Sequence, residues 1–276
     1  MTFLKSLAAA TLVLTASPAF AQEQLSIATG GTGGVYYPMG GGLAEIINNH
    51  IDGYAATAEV TGASVENMGL IATGDADVAL ALADTVQQAY TGTGKFEGQQ
   101  LPMVRSIGVA YANMVQIVAL EGSGITSLQD MVGKRISIGA PGSGTEVNAE
   151  QILSANGISY DDIDEQRLNF NETADALANG DIDAGFWSVG APTSSILNRA
   201  TTNKIVIIAL SDEELAAGVG VAASAAQPAL GLSNKASPYV GAFSPDVNTN
   251  VAATASAAAA AAASAATFRG AGATTA

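Results

Sequence analysis

The chain has 276 residues, a formal net charge of −15 and 48% hydrophobic residues; it contains one histidine, His50, and no cysteine. Such an acidic protein repels nucleic acid and anionic lipid, which argues against both as partners. The lack of cysteine excludes disulfides, thiol nucleophiles and thiolate-bound metals. We expect neither a metal nor a cofactor.

The first 21 residues have the features of an export signal. Lys5 supplies the positive n-region, Leu7–Thr15 the apolar h-region, and Ala19–Ala21 the cleavage site with its small residues. A membrane anchor is the weaker alternative, because the apolar run is shorter than the ~20 residues needed to span a bilayer. We therefore expect cleavage after Ala21 and a soluble product in the periplasm.

The remaining sequence contains one pattern twice. A short apolar strand runs into a glycine-rich turn at Leu25–Gly34, and Ile136–Thr145 repeats that plan. Each copy continues into a helical stretch and then a Gly-Asp-x-Asp signature, at Gly74–Asp77 and at Gly180–Asp183. A repeat at nearly constant spacing predicts two similar α/β lobes with a cleft between them.

Strands and helices alternate in the first half of the chain. In chain order we predict a strand at Leu25–Ala28, a helix at Tyr36–Asn49, a strand at Ala55–Val60, a helix at Ser64–Thr73 ended by Gly74, a strand at Val78–Leu82, a helix from Asp84 to Tyr90 and a strand within Gln99–Gly108. This β-α-β-α-β order predicts a parallel sheet with helices on its faces.

The second half repeats this order before an alanine-rich end. The predicted elements are a crossover strand at Met114–Leu120, a short helix from Ser127, a helix at Thr145–Ala155, a helix or turn in Asp161–Leu168, a helix at Glu172–Ala178, a strand at Ala184–Val189, a helix at Thr193–Arg199 and a strand at Ile205–Leu210. We divide the chain into a signal peptide (1–21), the first part of lobe 1 (22–115), lobe 2 (116–212) and a return segment to lobe 1 (213–276). The return segment is either a thin helical segment or partly disordered.

The two glycine-rich turns are the strongest candidates for a binding site. Gly30–Tyr36 and Pro141–Thr145 each place bare amides at a helix N-terminus, where an anion is favoured. The hydroxyls of Thr32, Ser143 and Thr145 add hydrogen-bonding groups. One such turn alone is more often a tight strand–helix connection, but two in equivalent places facing one cleft favour a ligand site.

Other kinds of site fit the sequence less well. Tyr36 stands where a dinucleotide fingerprint needs its third glycine, which excludes that motif. The pairs in Asp75–Asp77 and Asp181–Asp183 are expected at turns and in solvent rather than as metal ligands or catalytic carboxylates. His50 follows a helix end, where an imidazole is commonly a capping or surface group.

Trp187, the only tryptophan, lies near the carboxyl end of a predicted strand. Ligands of open parallel sheets bind at that end of the strands, so Trp187 is either a core residue or a wall of the cleft. Asp84 occupies the matching point in the first copy.

Several stretches in combination resemble the TAXI group of TRAP-transporter solute receptors, which are periplasmic binding proteins. The matching stretches are Gly30–Gly40, Thr61–Asn67, Gly122–Leu128, Gly142–Glu146, and Trp187 with Gly190–Pro192. The resemblance implies an α/β, two-lobed periplasmic-binding-protein fold of type II, with parallel-rich sheets, crossover strands and an interlobe cleft.

The resemblance also implies a function and a set of contacts. We expect a monomer that captures a small carboxylate, such as a glutamate-like amino acid or a dicarboxylate, and delivers it to the permease subunits of a TRAP transporter. The implied ligand contacts are Thr32, Gly34, Val35, Tyr36, Ser64, Asn67, Asp84, Ser143, Gly144, Thr145 and Trp187.

Three alternatives stay open at this point. The same fold serves as the receptor of ABC importers, and a periplasmic sensor could present its closed form to a signalling partner. A cleft hydrolase or isomerase is less favoured, because Asp84 is the only candidate general base. The charge of the solute is also open, since neither glycine-rich turn carries an arginine to bind a carboxylate.

Overall fold

The computed structural model describes residues 22–191, 193–200, 204–211, 213, 214 and 217. The predicted signal peptide and almost all of the predicted return segment therefore lie outside the described residues. Among the residues described, no helix has both the length and the apolar character needed to cross a membrane.

A three-stranded sheet and its helices form what we call the first unit. Its elements are β1 (Glu23–Ala28), α1 (Tyr36–His50), β2 (Tyr54–Glu59), α2 (Ser64–Thr73), β3 (Val78–Ala79) and α3 (Ala83–Thr91), followed by a 3-10 helix at Gly94–Phe96. The strands are parallel, in the order β2-β1-β3. Helix α1 packs on this sheet through Ala44 and Ile47, which contact Ile27 and Ala56.

A five-stranded sheet and its helices form the second unit. Its elements are β4 (Met114–Leu120), β5 (Arg135–Ser137), α4 (Gly144–Ala155), β6 (Asp164–Gln166), α5 (Phe170–Asn179), β7 (Ala184–Val189), α6 (Ser194–Ala200) and β8 (Ile205–Ile207), with 3-10 helices at Gln129–Met131 and Tyr160–Asp162. The order is β6-β5-β7-β4-β8. Strand β5 is parallel to β6 and β7, whereas β4 is antiparallel to β7 and β8.

The sequence repeat is also a structural repeat. In the first unit β1-α1-β2-α2-β3 folds with β1 at the centre of the three strands, and β5-α4-β6-α5-β7 places β5 between β6 and β7 in the same way. Helices α2 and α5 both end at a glycine in the left-handed conformation, Gly74 (φ +80°) and Gly180 (φ +75°). This confirms the predicted C-cap at Gly74, where an L side chain would be strained.

The second aspartate of each Gly-Asp-x-Asp signature binds the first strand of its copy. The Asp77 carboxylate accepts a hydrogen bond from the Ser26 amide (2.9 Å), and the Asp77 amide donates one to the Ser26 carbonyl (3.0 Å). Asp183 makes the same two bonds with Arg135 (2.9 and 2.8 Å). The Arg135 guanidinium also donates to both oxygens of Asp183, and these bonds lower the pKa of that carboxyl. The signature thus has a more specific structural role than the turn and solvent positions predicted for it.

The core of the second unit lies on both faces of its sheet. Phe186 on β7 packs with Ile136 and Leu153 on the face covered by α4. The next residue, Trp187, points to the opposite face and packs with Ala174 and Leu177 of α5. Every residue of β7 is buried, as expected for a strand covered on both sides.

The prediction of a strand within Gln99–Gly108 was wrong. The described residues between the 3-10 helix that ends at Phe96 and β4 contain turns and irregular backbone, and no strand. Pro102 has no amide to donate to a sheet, and the Arg105 side chain donates to the carbonyls of Pro102 and Val104. Val104 is buried against Met68, so its apolar side chain serves packing rather than strand pairing.

Candidate functional site

A cavity lies between the two units and encloses about 540 Å³ of empty space, part of it open to solvent. Both glycine-rich turns line it, from opposite units. Of the predicted contacts, Gly34, Val35, Tyr36, Ser64, Ser143, Gly144 and Thr145 line the cavity.

Two further groups of lining residues were missed from the sequence. One is the start of α5, where Asn169 and Phe170 face the cavity, and the other is the end of β7, at Ser188 and Val189. A signal for the first was present, because Asn169 with Glu172 three positions later is a capping box. The structure contains that capping box, and α5 is the repeat partner of α2, whose first residue Ser64 was predicted.

The predicted contacts Thr32, Asn67, Asp84 and Trp187 do not line the cavity. Thr32 is exposed, and its hydroxyl accepts a hydrogen bond from the Asn171 amide group (3.1 Å). Asn67 is fully buried beneath the first glycine-rich turn and donates to the carbonyls of Thr29 and Leu80, both at 2.7 Å. Both residues therefore hold backbone or side chains near the cavity in place.

Trp187 lies behind the cavity wall rather than in it. Its side chain is 1% exposed, and its indole N–H donates to the Ser195 hydroxyl (3.2 Å). The ring stacks on Phe170, with 6.3 Å between the ring centroids and 21° between the planes. Phe170 is therefore the aromatic ring that reaches the cavity, and Trp187 supports it from the core side.

Asp84 is buried where the two units meet. It lies in the first turn of α3, is 1% exposed, and accepts the Thr85 amide (2.7 Å). Across the interface, Asn148 of α4 donates to its other oxygen (3.3 Å). Burial raises the pKa of Asp84 and, beside it, the pKa of Tyr36, because water no longer stabilises their charged forms.

Three hydroxyls that line the cavity each accept a backbone amide. Ser64 accepts from Leu82 (3.0 Å), Ser143 from Glu146 (3.0 Å), and Thr145 from Ser188 (3.3 Å). A hydroxyl that accepts from an amide keeps its own hydrogen for donation. These side chains are thereby oriented to act as donors to other groups.

The start of α4 adds more donors beside these hydroxyls. The amides of Gly144 and Thr145 belong to the first turn of the helix, where amides have no intrahelical partner. Ser188 is 8% exposed, and its hydroxyl is buried without a hydrogen-bond partner. The cavity therefore offers several donors at one place, next to the positive end of a helix dipole.

Carboxylates near the cavity are already engaged, and among the described residues no lysine or arginine lines it. Glu146 accepts the Gly142 amide (2.9 Å) and pairs with Arg167. Glu66 accepts the Gly62 amide (2.8 Å). In the part of the chain that the structure describes, no group of three or more His, Cys, Asp or Glu residues is placed to hold a metal ion.

Solved structures of binding proteins share this fold. PhnD1 from Prochlorococcus marinus, solved with methylphosphonate, is 12% identical over 68% of this chain and 72% of that chain, with a TM-score of 0.50. The alkanesulfonate-binding protein SsuA from Xanthomonas axonopodis pv. citri, solved with MOPS, is 19% identical over 67% of this chain and 60% of that one, at 0.47. The periplasmic aliphatic sulphonate binding protein SsuA from Escherichia coli is 15% identical over the same shares, at 0.42.

The chain spans about 60% of the length of the two SsuA structures. The likeness to PhnD1 shows the periplasmic-binding-protein fold that the sequence predicted. A family model described as the NMT1-like family matches residues 27–265, and the chain therefore belongs to the NMT1-like family.

Proposed function

We propose that this protein is an extracytoplasmic solute-binding protein that captures a small carboxylate between its two units and delivers it to a membrane permease. The observation that carries this proposal is the group of donors at the start of α4. The hydroxyls of Ser64, Ser143, Thr145 and Ser188 lie there together with the first amides of the helix. A solute rich in acceptor oxygens complements such a group.

A carboxylate fits this place without an arginine. Helix N-termini bind anions through their free amides and the helix dipole, and charged acceptors form the stronger hydrogen bonds. The opposite wall is apolar, with Val35, Leu82 and Phe170 facing the cavity. A solute with an acid group at α4 and a short carbon skeleton along this wall, such as a glutamate-like amino acid or a dicarboxylate, satisfies both parts of the lining.

Binding would act through an equilibrium between open and closed arrangements of the units. Lining residues come from both units, so a solute makes its full set of contacts only when the units are together. A solute that contacts both walls shifts the population to the closed form by this difference in contacts. The permease would then receive the closed, loaded protein.

Two permease classes suit a receptor of this fold. We propose an ABC importer first, because the comparisons support a binding protein in general and do not single out the TAXI group of TRAP receptors. The TRAP permease is the second candidate, favoured by the glycine-rich motifs at Gly30–Gly40 and Gly142–Glu146. Transport by membrane vesicles separates them, since an ABC importer requires ATP and a TRAP transporter an ion gradient.

The sensor and enzyme alternatives make different demands. A sensor needs a signalling partner that recognises the closed form, which gene neighbourhood would reveal as a kinase gene in place of a permease gene. An enzyme needs a general base that reaches the substrate. Asp84 is buried behind the lining, held by Thr85 and Asn148, and this position favours binding over catalysis.

Isothermal titration of the mature chain tests the proposal. The panel pairs each carboxylate, including glutamate and short dicarboxylates, with its neutral amide, and adds simple sugars. We expect one acid to bind without turnover and its amide to bind at least tenfold more weakly, because a hydrogen bond to a charged group contributes about 1.5–3 kcal/mol.

Matched variants connect that binding to the cavity. Ser188→Ala should weaken binding of the acid about tenfold or more, whereas Thr91→Val, which changes an exposed hydroxyl on α3, should leave it unchanged. Equal binding of acid and amide would contradict the carboxylate, and conversion of the bound acid to a product would establish an enzyme instead.

A further inference from the structure

The two units contact each other at two places around the cavity, and the structural repeat relates these places. In the first, the start of α2 in the first unit meets the second glycine-rich turn. The amides of Val65 and Glu66 both donate to the Gly142 carbonyl, at 3.0 and 3.1 Å. The turn of one unit is thus bound by the helix N-terminus of the other.

The second place brings the corresponding elements together with the units exchanged, but its hydrogen bonds come from side chains. Here the start of α5 in the second unit meets the first glycine-rich turn. The Asn171 side chain donates to the Thr32 hydroxyl (3.1 Å), and the Thr193 hydroxyl donates to the Gly33 carbonyl (3.2 Å). Thr193 is 2% exposed, so its hydrogen bond to the Gly33 carbonyl is shielded from water.

Gly33 provides the space that the second contact needs. A Cβ atom at position 33 would lie 2.8 Å from Cγ of Asn171 and 3.2 Å from its backbone nitrogen, and the first is closer than Cβ atoms come in folded proteins. The φ angle of Gly33 is not in the left-handed region, so its backbone conformation alone would accept an alanine. An alanine here would press on the side chain and the backbone nitrogen of Asn171, so the close approach of Asn171, rather than the backbone conformation, favours glycine.

Gly33 and Asn171 also stand apart from the proposed ligand contacts. Neither residue lines the cavity, and the Asn171 side chain is exposed at its rim. A change at either position therefore leaves the donors at α4 and the apolar wall intact. An effect on solute binding would then have to act through the arrangement of the two units.

We propose that Gly33 and Asn171 are positioning residues that form a latch between the units and set the fraction of protein in the closed arrangement. The inference rests on the proposed function in that closure holds a solute. An apparent dissociation constant rises in proportion as the closed, binding-competent fraction falls. The latch would therefore tune affinity without contacting the solute.

Distance measurements between spin labels test the latch without a solute. The chain has no cysteine of its own, so cysteines placed at the exposed Asp52 and Asp161, one in each unit, would be the only labelled positions. We expect Gly33→Ala to move the distance distribution to longer values. The control Gly41→Ala, in α1 with open space around it, should match the parent protein.

A second variant distinguishes the latch from a general defect. Asn171→Ala removes the side-chain atoms that a Cβ at position 33 would meet, although it also removes the bond to Thr32. The Thr193–Gly33 bond is kept, so the double variant Gly33→Ala/Asn171→Ala should return most of the way to the short distance. Circular dichroism would confirm that each variant is folded. The proposal is overturned if Gly33→Ala gives the same distances as Gly41→Ala, or if the double variant stays as open as Gly33→Ala.

Titration with the best-binding acid adds the functional readout. Gly33→Ala should weaken binding about tenfold, in step with the loss of the short-distance population, and the double variant should recover most of it. If the distances respond as expected but no small acid binds, the proposed function fails while the latch stands. If an acid binds the parent and Gly33→Ala equally well, the latch does not set affinity and the inference is wrong.

Discussion

The two copies of the repeat follow the same path but are stabilised differently. In the second unit, α4 is capped by the Ser143 side chain, and α5 begins with the Asn169 capping box. In the first unit, α1 follows Val35 and α2 follows Ala63, and neither residue provides a side-chain cap. The first unit has instead its contacts with the other unit.

Ala63 shows this difference most clearly. It has φ +86° and ψ −139°, a conformation that is essentially restricted to glycine, while its counterpart Asn169 has φ −70°. Ala63 lies in the loop that precedes Val65 and Glu66, the residues that bind the Gly142 carbonyl. The comparison teaches that α4 and α5 of the second unit begin at side-chain caps, whereas α2 of the first begins at a strained residue beside a contact with the second.

The largest effect on stability is expected from Asp77 and Asp183, which we call the two aspartate clamps because each binds the first strand of its copy. Asp183→Ala removes the acceptor of the Arg135 amide and guanidinium and should lower the free energy of unfolding by about 2–3 kcal/mol. Asp77→Ala should cost about 1 kcal/mol, because Ser26, which occupies the position of Arg135 in the first copy, has no guanidinium to bind the carboxylate. Urea unfolding of both variants, with the exposed Asp181→Ala as control, measures the difference. Equal losses at Asp77 and Asp183 would show that the clamps are equivalent after all.

The cap of α4 offers the next comparison. Ser143→Ala removes the acceptor of the Glu146 amide and should cost about 1 kcal/mol, whereas Ser143→Gly should cost only a few tenths. Both variants lose the same hydroxyl at the cavity, so the difference between them reports the helix cap alone. Thermal unfolding without solute measures it, and identical melting temperatures for the two variants would argue against a capping role.

Relief of strain at the start of α2 should stabilise the first unit. Ala63→Gly replaces a residue in a conformation that costs about 1–3 kcal/mol. After the loss of about 0.5–1 kcal/mol for the greater freedom of unfolded glycine, a net gain of about 0–2.5 kcal/mol is expected. Ala72→Gly, inside α2, is the matched control and should destabilise by up to about 1 kcal/mol. A loss of stability in both variants would show that Ala63 is not strained.

The smallest expected effect is a change in pH dependence at Asp84, which joins the two units. Its folded pKa lies above the unfolded value of 3.8, so the native state favours the protonated form. The stability linked to this group is present below pH 3.8 and decreases as the pH rises through its folded pKa. Asp84→Asn should remove that decrease because an amide does not titrate in this range. The new amide can donate to the side-chain oxygen of Asn148, which is buried without a partner. Unfolding midpoints between pH 3 and 8 test this, and parallel curves for parent and variant would contradict it.

The sequence was sufficient to predict the regular parts of both copies. Helix α2 begins and ends at the predicted Ser64 and Thr73, and β7 covers the predicted Ala184–Val189. Local signals were strong there, with an αL glycine after the helix and a largely apolar run in the strand. Strand β3 is limited to Val78 and Ala79, shorter than predicted, because pairing with β1 ends where β1 ends.

The parts of the site that were missed depend on tertiary contacts. Phe170 and Trp187 are both aromatic residues near the cavity, and only the alternation of β7 and the start of α5 decide which one faces it. Ser188 became a candidate because its hydroxyl is buried without a partner, which no sequence pattern indicates. The predicted contacts Asn67 and Asp84 were placed near the cavity, but burial puts them behind its wall.

The position of β4 gives the two units different folding requirements. Among the residues that the structure describes, all strands of the first sheet are present by residue 79, and they pair only with one another. Strand β4 instead lies between β7 and β8, so it cannot pair on both edges until residues up to 189 and 207 are available. Long-range pairing of this kind is slow because the intervening loop must close first. The strand that begins the second sheet must therefore stay unpaired until nearly all of that unit is available to fold.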